Sequence, residues 1–188
     1  MRLPRFPRVI GFDDGPFPRR AGVAVPLAGV VCAGTRFEGL VWGRVRRDGW
    51  NATDAVCRLL EGGKFLPQLH AVLLDGIAFG GFNVVDLPLL AARLEKPCVA
   101  VMRRPPDLDA VERALRRLPR ADARWAKLLR AGPIHQVRGF TFQCQGATPD
   151  EVGELLQAIT DRGHVPEPLR LAHLIGSAVV TGESSQRA

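Results

Sequence analysis

The chain has 188 residues, 46% of them hydrophobic, which is enough for one domain with a sizeable core. Its 26 lysines and arginines outnumber its 19 acidic residues, so the formal net charge is +7, and this balance favours a polyanionic partner. No apolar run reaches about 18 residues and the N-terminus lacks a secretory cleavage motif, so the sequence excludes a membrane-spanning protein and predicts a cytoplasmic one. A single domain is expected over residues 1–188, with residues 182–188 as a flexible tail.

The cysteines are widely spaced and form no C-x-x-C pair; they are Cys32, Cys57, Cys98 and Cys144. This spacing argues against a zinc site or a disulfide framework, so reduced and packed thiols are expected. The sequence also contains no G-x-x-x-x-G-K-[ST] loop, so ATP hydrolysis is not indicated.

The predicted elements begin with three strands, the second and third joined as a hairpin at Gly34. Asn83 is a candidate N-cap for the second helix. In chain order, the predicted elements are strands 8–13, 21–34 and 37–47, helix 51–63, strand 70–75, helix 84–95, strand 97–104, helices 107–118 and 121–132, two strands within 133–146, and helices 148–163 and 166–184.

This order of elements is typical of a ribonuclease H-like α/β fold, a mixed sheet flanked by helices with strand order 3-2-1-4-5. A right-handed crossover then places the fourth strand parallel to the first and beside it. The stretches "RVIGFDD" and "HAVLLD" would therefore bring Asp13 and Asp75 to the same edge of the sheet.

Two carboxylates at this edge would repel each other unless a cation lay between them. Their carboxyl groups are expected within roughly 4 to 7 Å of one another, a spacing that suits shared Mg²⁺ ligation. The alternative is that "DDGP", with Asp13 and Asp14, is a turn without metal chemistry.

The glycine-rich stretch "GIAFGGFN" should lie over this edge. Its glycines leave room for a nucleotide, and its two phenylalanines offer faces on which bases can stack. A damaged or mispaired base is easier to extrude into such a pocket. The alternative is a strand-to-helix turn with both phenylalanines in the core. The candidate nucleic-acid-binding residues here are Gly76, Phe79, Gly80, Gly81, Phe82 and Asn83.

Residues 103–130 hold nine arginines or lysines against four acids. Guanidinium groups pair bidentately with phosphate oxygens, so this basic run is a candidate phosphate-binding face, although it could equally be a solvated surface. The arginines expected to contact phosphates are Arg113, Arg116, Arg117 and Arg120. Arg170, near the start of the last helix, marks a second possible path for the nucleic acid.

Four stretches, "GFDDGPF", "DGWNATDA", "LLDGIAFGGFNVVD" and "RGHVPEPLRLAHLIGSAVVTGES", resemble the DUF99 family. This family, also called UPF0215 or endonuclease dU, is similar to endonuclease V. The resemblance covers nearly the whole chain, and "DGIAFGGFNVVD" and "PEPLRLAHLI" are its most specific parts. It implies a ribonuclease H-like fold and repair-type cutting of DNA, possibly RNA, near uracil or hypoxanthine, with Mg²⁺ or Mn²⁺ as cofactor.

The resemblance also implies a set of site residues. The first aspartate of the endonuclease V metal site matches Asp13, with Asp14 as a substitute, and its later aspartate matches Asp75. His173 resembles a polar residue that endonuclease V brings to the metal from a helix, although it could instead be a packing histidine.

Endonuclease V also uses a glutamate between its two aspartates, and "DGWNATDA", the stretch of this chain that resembles the family in that region, contains none. Asp54 is the candidate replacement and Asp48 the alternative, while Asp54 could instead only stabilise the first turn of its helix. The missing glutamate favours a catalytically weak nucleic-acid-binding protein on the same fold, whereas the paired strand-end aspartates favour an enzyme.

Overall fold

The computed structural model describes residues 4–20 and 22–184. Its strands are β1 (Arg8–Asp14), β2 (Ala24–Ala33), β3 (Arg36–Arg46), β4 (Ala71–Asp75), β5 (Ala78–Phe79), β6 (Asn83–Val84), β7 (Cys98–Met102), β8 (His135–Val137) and β9 (Phe140–Gln145). Its helices are α1 (Ala52–Leu60), α2 (Leu87–Leu94), α3 (Leu108–Leu115), α4 (Ala121–Arg130), α5 (Pro149–Ala158) and α6 (Glu167–Thr181). None of the helices in these two ranges is long and apolar enough to cross a membrane.

Seven of the strands form one mixed sheet in the order β3-β2-β1-β4-β7-β9-β8. Strand β4 pairs with β1 and with β7 in parallel, and the other neighbours are antiparallel. The predicted α/β fold with a helix-flanked mixed sheet is confirmed. The two strands predicted within 133–146 are β8 and β9, and they extend the sheet beyond the predicted order of five strands. In the β1–β4 register Phe12 lies beside Leu74, so the next residues, Asp13 and Asp75, emerge side by side.

Apolar side chains cover both faces of the central strands, as the continuous hydrophobic runs predict. Ile10 and Leu74 pack in the cluster that contains α1 and α2, whereas Val9 and Leu73 pack in the cluster that contains α5. Helix α6 contacts β1 and β2 on this second face. Because side chains alternate between faces, Asp13 and Asp75 point toward the α6 side.

The hydrogen bonds around α2 correct one predicted cap. Asp86, not Asn83, precedes the helix, and its side chain accepts a hydrogen bond from the Leu89 amide. Asn83 instead lies in β6, in a short β5–β6 hairpin within the glycine-rich stretch that the sequence did not predict.

The last helix ends at Thr181, where Gly182 adopts a φ of +91° and closes the helix in a left-handed conformation. Residues 185–188 lie outside the described residues, so the flexibility of the tail stays a prediction. The four cysteines are free thiols, three of them buried and Cys144 half-buried.

Candidate metal centre

Three side chains from three elements meet at the carboxyl end of the central strands. Asp13 comes from β1, Asp75 from β4 and His173 from α6, and one ligand atom of each lies within 4.8 Å of the others. Nδ1 of His173 is 2.8 Å from Oδ2 of Asp13. The predicted approach of Asp13 and Asp75 is therefore found, with His173 beside them.

Two glycines on β1 and its extension let α6 approach closely enough to deliver His173. A Cβ on Gly11 would lie 2.8 Å from the backbone nitrogen of Leu169, and one on Gly15 would lie 2.9 Å from the carbonyl oxygen of Gly176. Both distances are shorter than real contacts, so a larger residue at either glycine would push the helix and His173 away from the strand.

The electrostatics of the cluster are those of crowded negative charge. Burial, followed by the charges of Asp75 and Asp14, raises the pKa of Asp13 to about 8. The amide of Asp14 donates a hydrogen bond to Oδ1 of Asp13 and opposes this shift. A proton or a cation is therefore needed to compensate the negative charge of the Asp13 carboxylate in this position.

Asp14 has a different role from Asp13. Its Oδ2 accepts a hydrogen bond from the Gly80 amide, which ties the end of β1 to the glycine-rich stretch. Burial raises the pKa of Asp14, and the Gly80 hydrogen bond opposes this rise. Asp14 thus lies next to the cluster and holds the glycine-rich stretch to the end of β1.

Arg103 is the cation that the structure adds to this site. It follows β7, and its Nη2 lies 3.5 Å from Oδ2 of Asp75. It lines the same open cleft, of about 450 Å³, as Asp13, Asp75 and His173. Half of the Arg103 side chain is exposed, so it can reach toward a ligand in the cleft.

The donor set fits a divalent cation. Carboxylate oxygens are the usual protein ligands of Mg²⁺ and Mn²⁺, and an imidazole nitrogen is accepted more readily by the transition metal. Burial is the main cause of the raised pKa of Asp13, and the charge of Arg103 opposes this shift only in part. Asp13, Asp75 and His173 would hold the ion, and their three atoms are close enough to share it.

The two candidates for the missing glutamate lie away from this cluster. Asp54 is largely exposed on α1 and forms an ion pair with Arg93 at 2.7 Å. Asp48 accepts a hydrogen bond from the Phe82 amide and adopts a φ of +51° in the turn after β3. The structure therefore uses Asp54 in a surface ion pair and Asp48 to hold the β5–β6 hairpin.

The phenylalanines of the glycine-rich stretch do not form an open stacking platform. Phe79 is fully buried in the core, and Phe82 is half-buried. Gly80 is buried, Gly81 is exposed, and both have positive φ. Phe79 thus packs in the core, as in the alternative that the sequence left open, a strand-to-helix turn with buried phenylalanines.

Asn83 is fully buried, and both ends of its side-chain amide form hydrogen bonds with described residues. Its Oδ1 accepts from the Ala52 amide, and its Nδ2 donates to the carbonyl of Arg46 and to the side chain of Asn51. This network joins the start of α1 to the hairpin, so Asn83 acts in positioning the loop and does not present a free group to nucleic acid.

The basic run divides into an exposed and a buried part. The exposed members are Arg103, Arg104, Arg113, Arg116, Arg117, Arg120 and Arg130, and Arg116 pairs with Glu112 at 2.7 Å. Arg124 and Lys127 are buried instead. Arg170, near the start of α6, forms a pair with Glu167 at 2.6 Å.

Arg124 is a structural residue that the sequence analysis counted only as part of the basic run. It is 4% exposed, and its guanidinium donates hydrogen bonds to the carbonyl oxygens of Asp48, Gly49, Phe82 and Pro119. It therefore fastens the turn after β3 to the glycine-rich hairpin and to α4. Its place in a helix of mixed polarity gave no sign of this role.

The raised pKa of Asp13 predicts a specific dependence of stability on pH. Between about pH 4, near the carboxyl pKa of an unfolded chain, and about pH 8, the folded metal-free protein keeps a proton that the unfolded chain releases. The contribution of Asp13 to the free energy of unfolding should therefore fall as pH rises through this range.

Urea unfolding in EDTA at pH 5 and pH 8 measures this effect. The wild-type protein should lose more stability over this interval than Asp13→Asn, which cannot titrate at this position. Equal losses in the two proteins would show that Asp13 titrates normally in the folded state.

Comparison with known proteins places this geometry in context. A family model described as endonuclease dU matches residues 5–180. A UPF0215 protein of Deinococcus radiodurans is 42% identical over 183 residues, which cover 97% of this chain and 93% of the relative.

Solved structures are similar as well. A protein of unknown function from Archaeoglobus fulgidus matches with a TM-score of 0.88 and 35% identity, over 94% of this chain and 99% of that one. Endonuclease V of Ciona intestinalis, in complex with a 24mer DNA containing an inosine followed by a ribo-adenosine, matches with a TM-score of 0.55 and 12% identity. That match covers 89% of this chain and 83% of the other, and at this identity it shows the shared fold.

Proposed function

This chain belongs to the endonuclease dU family, and on that basis we propose that it is a metal-dependent endonuclease that hydrolyses phosphodiester bonds in DNA near deaminated bases, uracil or hypoxanthine. The observation that carries the proposal is the cluster of Asp13, Asp75 and His173 at the edge of an endonuclease V-like sheet. Ligands of open α/β sheets bind at this carboxyl edge.

The side chains of the cluster would bind the metal ion together. Asp13 and Asp75 would each supply a carboxylate oxygen, and His173 a ring nitrogen, to an Mg²⁺ or Mn²⁺ ion. The contact of 2.8 Å between Nδ1 of His173 and Oδ2 of Asp13 holds these two side chains together at the site. When bound, the ion would lower the pKa of a water molecule and stabilise the leaving oxygen of the phosphodiester. Burial disfavours the uncompensated Asp13 carboxylate, so a proton or a cation must balance its charge, and a bound metal ion would displace that proton.

Arg103 is placed to bind the substrate phosphate. In the structure its guanidinium neutralises Asp75. With Asp75 engaged in metal binding, Arg103 would be able to pair with a phosphate oxygen, as guanidinium groups commonly do. The positive charge of Arg103 would then hold the phosphodiester against the carboxylate edge.

A comparison of purified protein on matched oligonucleotides tests the function. We expect cleavage of strands that contain one uracil or one hypoxanthine in the presence of Mg²⁺ or Mn²⁺, and none of the undamaged strand. Chelation of the metal should stop the reaction. Equal cleavage of the undamaged strand would contradict the base specificity, and an RNA strand with inosine tests whether RNA is also cut.

A nucleic-acid-binding protein without nuclease activity is the second candidate function. It is favoured by the positions of Asp54 and Asp48, which leave the expected glutamate without a replacement in the cluster. Binding of the same oligonucleotides without cleavage under any of the metal conditions would support it.

The exposed arginines of α3 and the following turn are proposed to contact DNA phosphates. Arg113→Ala combined with Arg117→Ala should weaken binding of all sequences alike. The slope of log K against log salt should flatten by about 0.7 to 0.9 for each lost contact. Preference for the damaged base should survive, because phosphates carry no sequence information.

The matched control for this experiment changes two exposed arginines elsewhere, Arg44 on β3 and Arg58 on α1, to alanine. Both double variants lower the net charge equally. A similar change of slope in the two variants would indicate a general charge effect and contradict direct phosphate contacts by Arg113 and Arg117.

A further inference from the structure

A largely apolar cavity of about 340 Å³ lies beneath α3 and α4, at the same end of the sheet as the candidate metal centre. Its size falls within the range of small-molecule sites in proteins. Its floor is formed by residues that follow or end central strands, and its walls by apolar side chains of the two helices. Among the residues that line it are Gly76, Met102, Val111, Trp125, Leu128 and Gln143.

Residues that line the cavity are neighbours in sequence of residues at the metal centre. Gly76 directly follows Asp75, and Met102 directly precedes Arg103. A small cleft lined by Asp75, Met102, Arg103 and Leu169 of α6 lies beside the metal centre. The Asp75 side chain points to the α6 face of the sheet, whereas Met102 points to the opposite face with Cys98 and Ala100. A path from the metal centre to the cavity would therefore cross the strand ends at Gly76.

One polar side chain interrupts the apolar lining in a defined orientation. Gln143 is 6% exposed, and its Nε2 donates hydrogen bonds to the carbonyl oxygens of Gly132, at 2.6 Å, and Leu128, at 3.4 Å. Carbonyl oxygens only accept hydrogen bonds, so the amide nitrogen must face them.

The other end of the same amide is left without a partner. Among the described residues no donor reaches Oε1 of Gln143, and the only buried side-chain N or O atom there without a hydrogen-bond partner is Nε of Arg47, so Oε1 is accessible from the cavity. The side chain thus presents a fixed hydrogen-bond acceptor at an apolar cavity. A ligand that enters should offer an N–H group to it.

We propose that this cavity receives an extruded nucleobase and that Oε1 of Gln143 accepts a hydrogen bond from its ring N–H. The inference rests on the proposed function and assigns base selection to a particular residue. Deamination turns cytosine into uracil and adenine into hypoxanthine, and in both cases a ring nitrogen that was an acceptor becomes an N–H donor. The parent bases would direct a lone pair at Oε1, which leaves two acceptors facing each other.

The remaining discrimination comes from extrusion. Guanine and thymine carry the same kind of ring N–H, but in a paired duplex they are more costly to unstack than a mispaired uracil or hypoxanthine. Trp125 lines the cavity and offers a face on which the base can stack. Gln143 therefore separates a deaminated base from its parent, and the mispair separates it from guanine and thymine.

Binding of single-stranded oligonucleotides that differ in one central base tests this assignment. The three bases are uracil, N3-methyluracil, which lacks the N–H, and cytosine, and Ca²⁺ replaces Mg²⁺ while a gel verifies that the strands stay intact. Fluorescence of Trp125 reports occupancy, with Trp125→Phe as the control that identifies its signal. We expect the uracil strand to bind about five- to tenfold more tightly than the other two, and Gln143→Leu to remove this difference.

A second variant keeps the test decisive if Gln143→Leu does not fold. Val111→Trp, on α3 at the cavity wall, fills the space from a half-buried position and should weaken uracil-strand binding about tenfold while Mn²⁺ affinity stays unchanged. Equal wild-type affinity for uracil and N3-methyluracil, or unchanged binding by Val111→Trp, would overturn the inference.

The outcomes separate this inference from the proposed function. Base-dependent quenching of Trp125 without any cleavage in Mg²⁺ or Mn²⁺ would contradict the nuclease and leave the base site supported. Cleavage specific for uracil that survives both cavity variants would contradict the base site and leave the nuclease supported.

Discussion

Asp75→Asn is expected to abolish metal-dependent cleavage, with a fall in rate of more than about 100-fold. Loss of a residue that merely supports a metal ligand commonly costs 10- to 100-fold in affinity or activity, and Asp75 is proposed to be a ligand itself. The substitution keeps the shape of the side chain but replaces a charged oxygen of the cluster with an amide. Cleavage of a uracil-containing strand in Mg²⁺ and in Mn²⁺ measures the effect.

Oligonucleotide binding should not be weakened by the same substitution. Asp75→Asn removes a negative charge from the cleft, so affinity for the phosphate backbone in EDTA should be equal to that of the wild type or higher. Asp54→Asn is the matched control, because Asp54 pairs with Arg93 on the exposed face of α1, and it should cleave at nearly the wild-type rate. Wild-type cleavage by Asp75→Asn would remove the metal centre from the mechanism.

Arg124→Ala is expected to have the largest effect on stability among substitutions in the basic run. The guanidinium satisfies four backbone carbonyl oxygens from a position that is 4% exposed. A hydrogen bond to a charged group stabilises the fold more than a neutral surface hydrogen bond does. Loss of the guanidinium also leaves buried carbonyl oxygens without donors, so the free energy of unfolding should fall by about 3 kcal/mol. A domain of this size would melt about 6 to 12 °C lower.

Arg120→Ala provides the comparison for this substitution. Arg120 and Arg124 each lie 5.4 Å from the ring centroid of Trp50, but Arg120 is exposed. Its loss should change the free energy of unfolding by less than about 1 kcal/mol. Urea unfolding of the two variants measures the difference. Equal losses of unfolding free energy would mean that the hydrogen bonds from Arg124 to the carbonyl oxygens contribute little to stability.

The sequence predicted those parts of the site that are determined by strand order. The apolar runs before Asp13 and Asp75 mark strands buried on both faces, and the order of elements brings their ends together. The identity of His173 as a third member came from the resemblance to a family, since an apolar helix with one histidine has no distinctive pattern. The structure places it 2.8 Å from Asp13.

Other parts of the site depend on side-chain direction, which sequence patterns do not report. Asp54 lies in the first turn of α1, and its side chain turns outward to Arg93. Arg103 belongs to a run of positive charge, but its position after β7 brings it to the metal centre, while Arg124 in the same run is buried. Phe79 was one of two aromatic residues in a glycine-rich loop, and only the hairpin geometry shows that it faces the core.

The long separation between Asp13 and His173, 160 residues apart in the chain, has a consequence for biosynthesis. Chains are made at about 5 to 20 residues per second, and structure forms as segments leave the ribosome. The aspartates of β1 and β4 can be synthesised and paired while α6 has not yet been made. A nascent chain therefore carries an incomplete cluster until residues 167–181 have emerged from the ribosome.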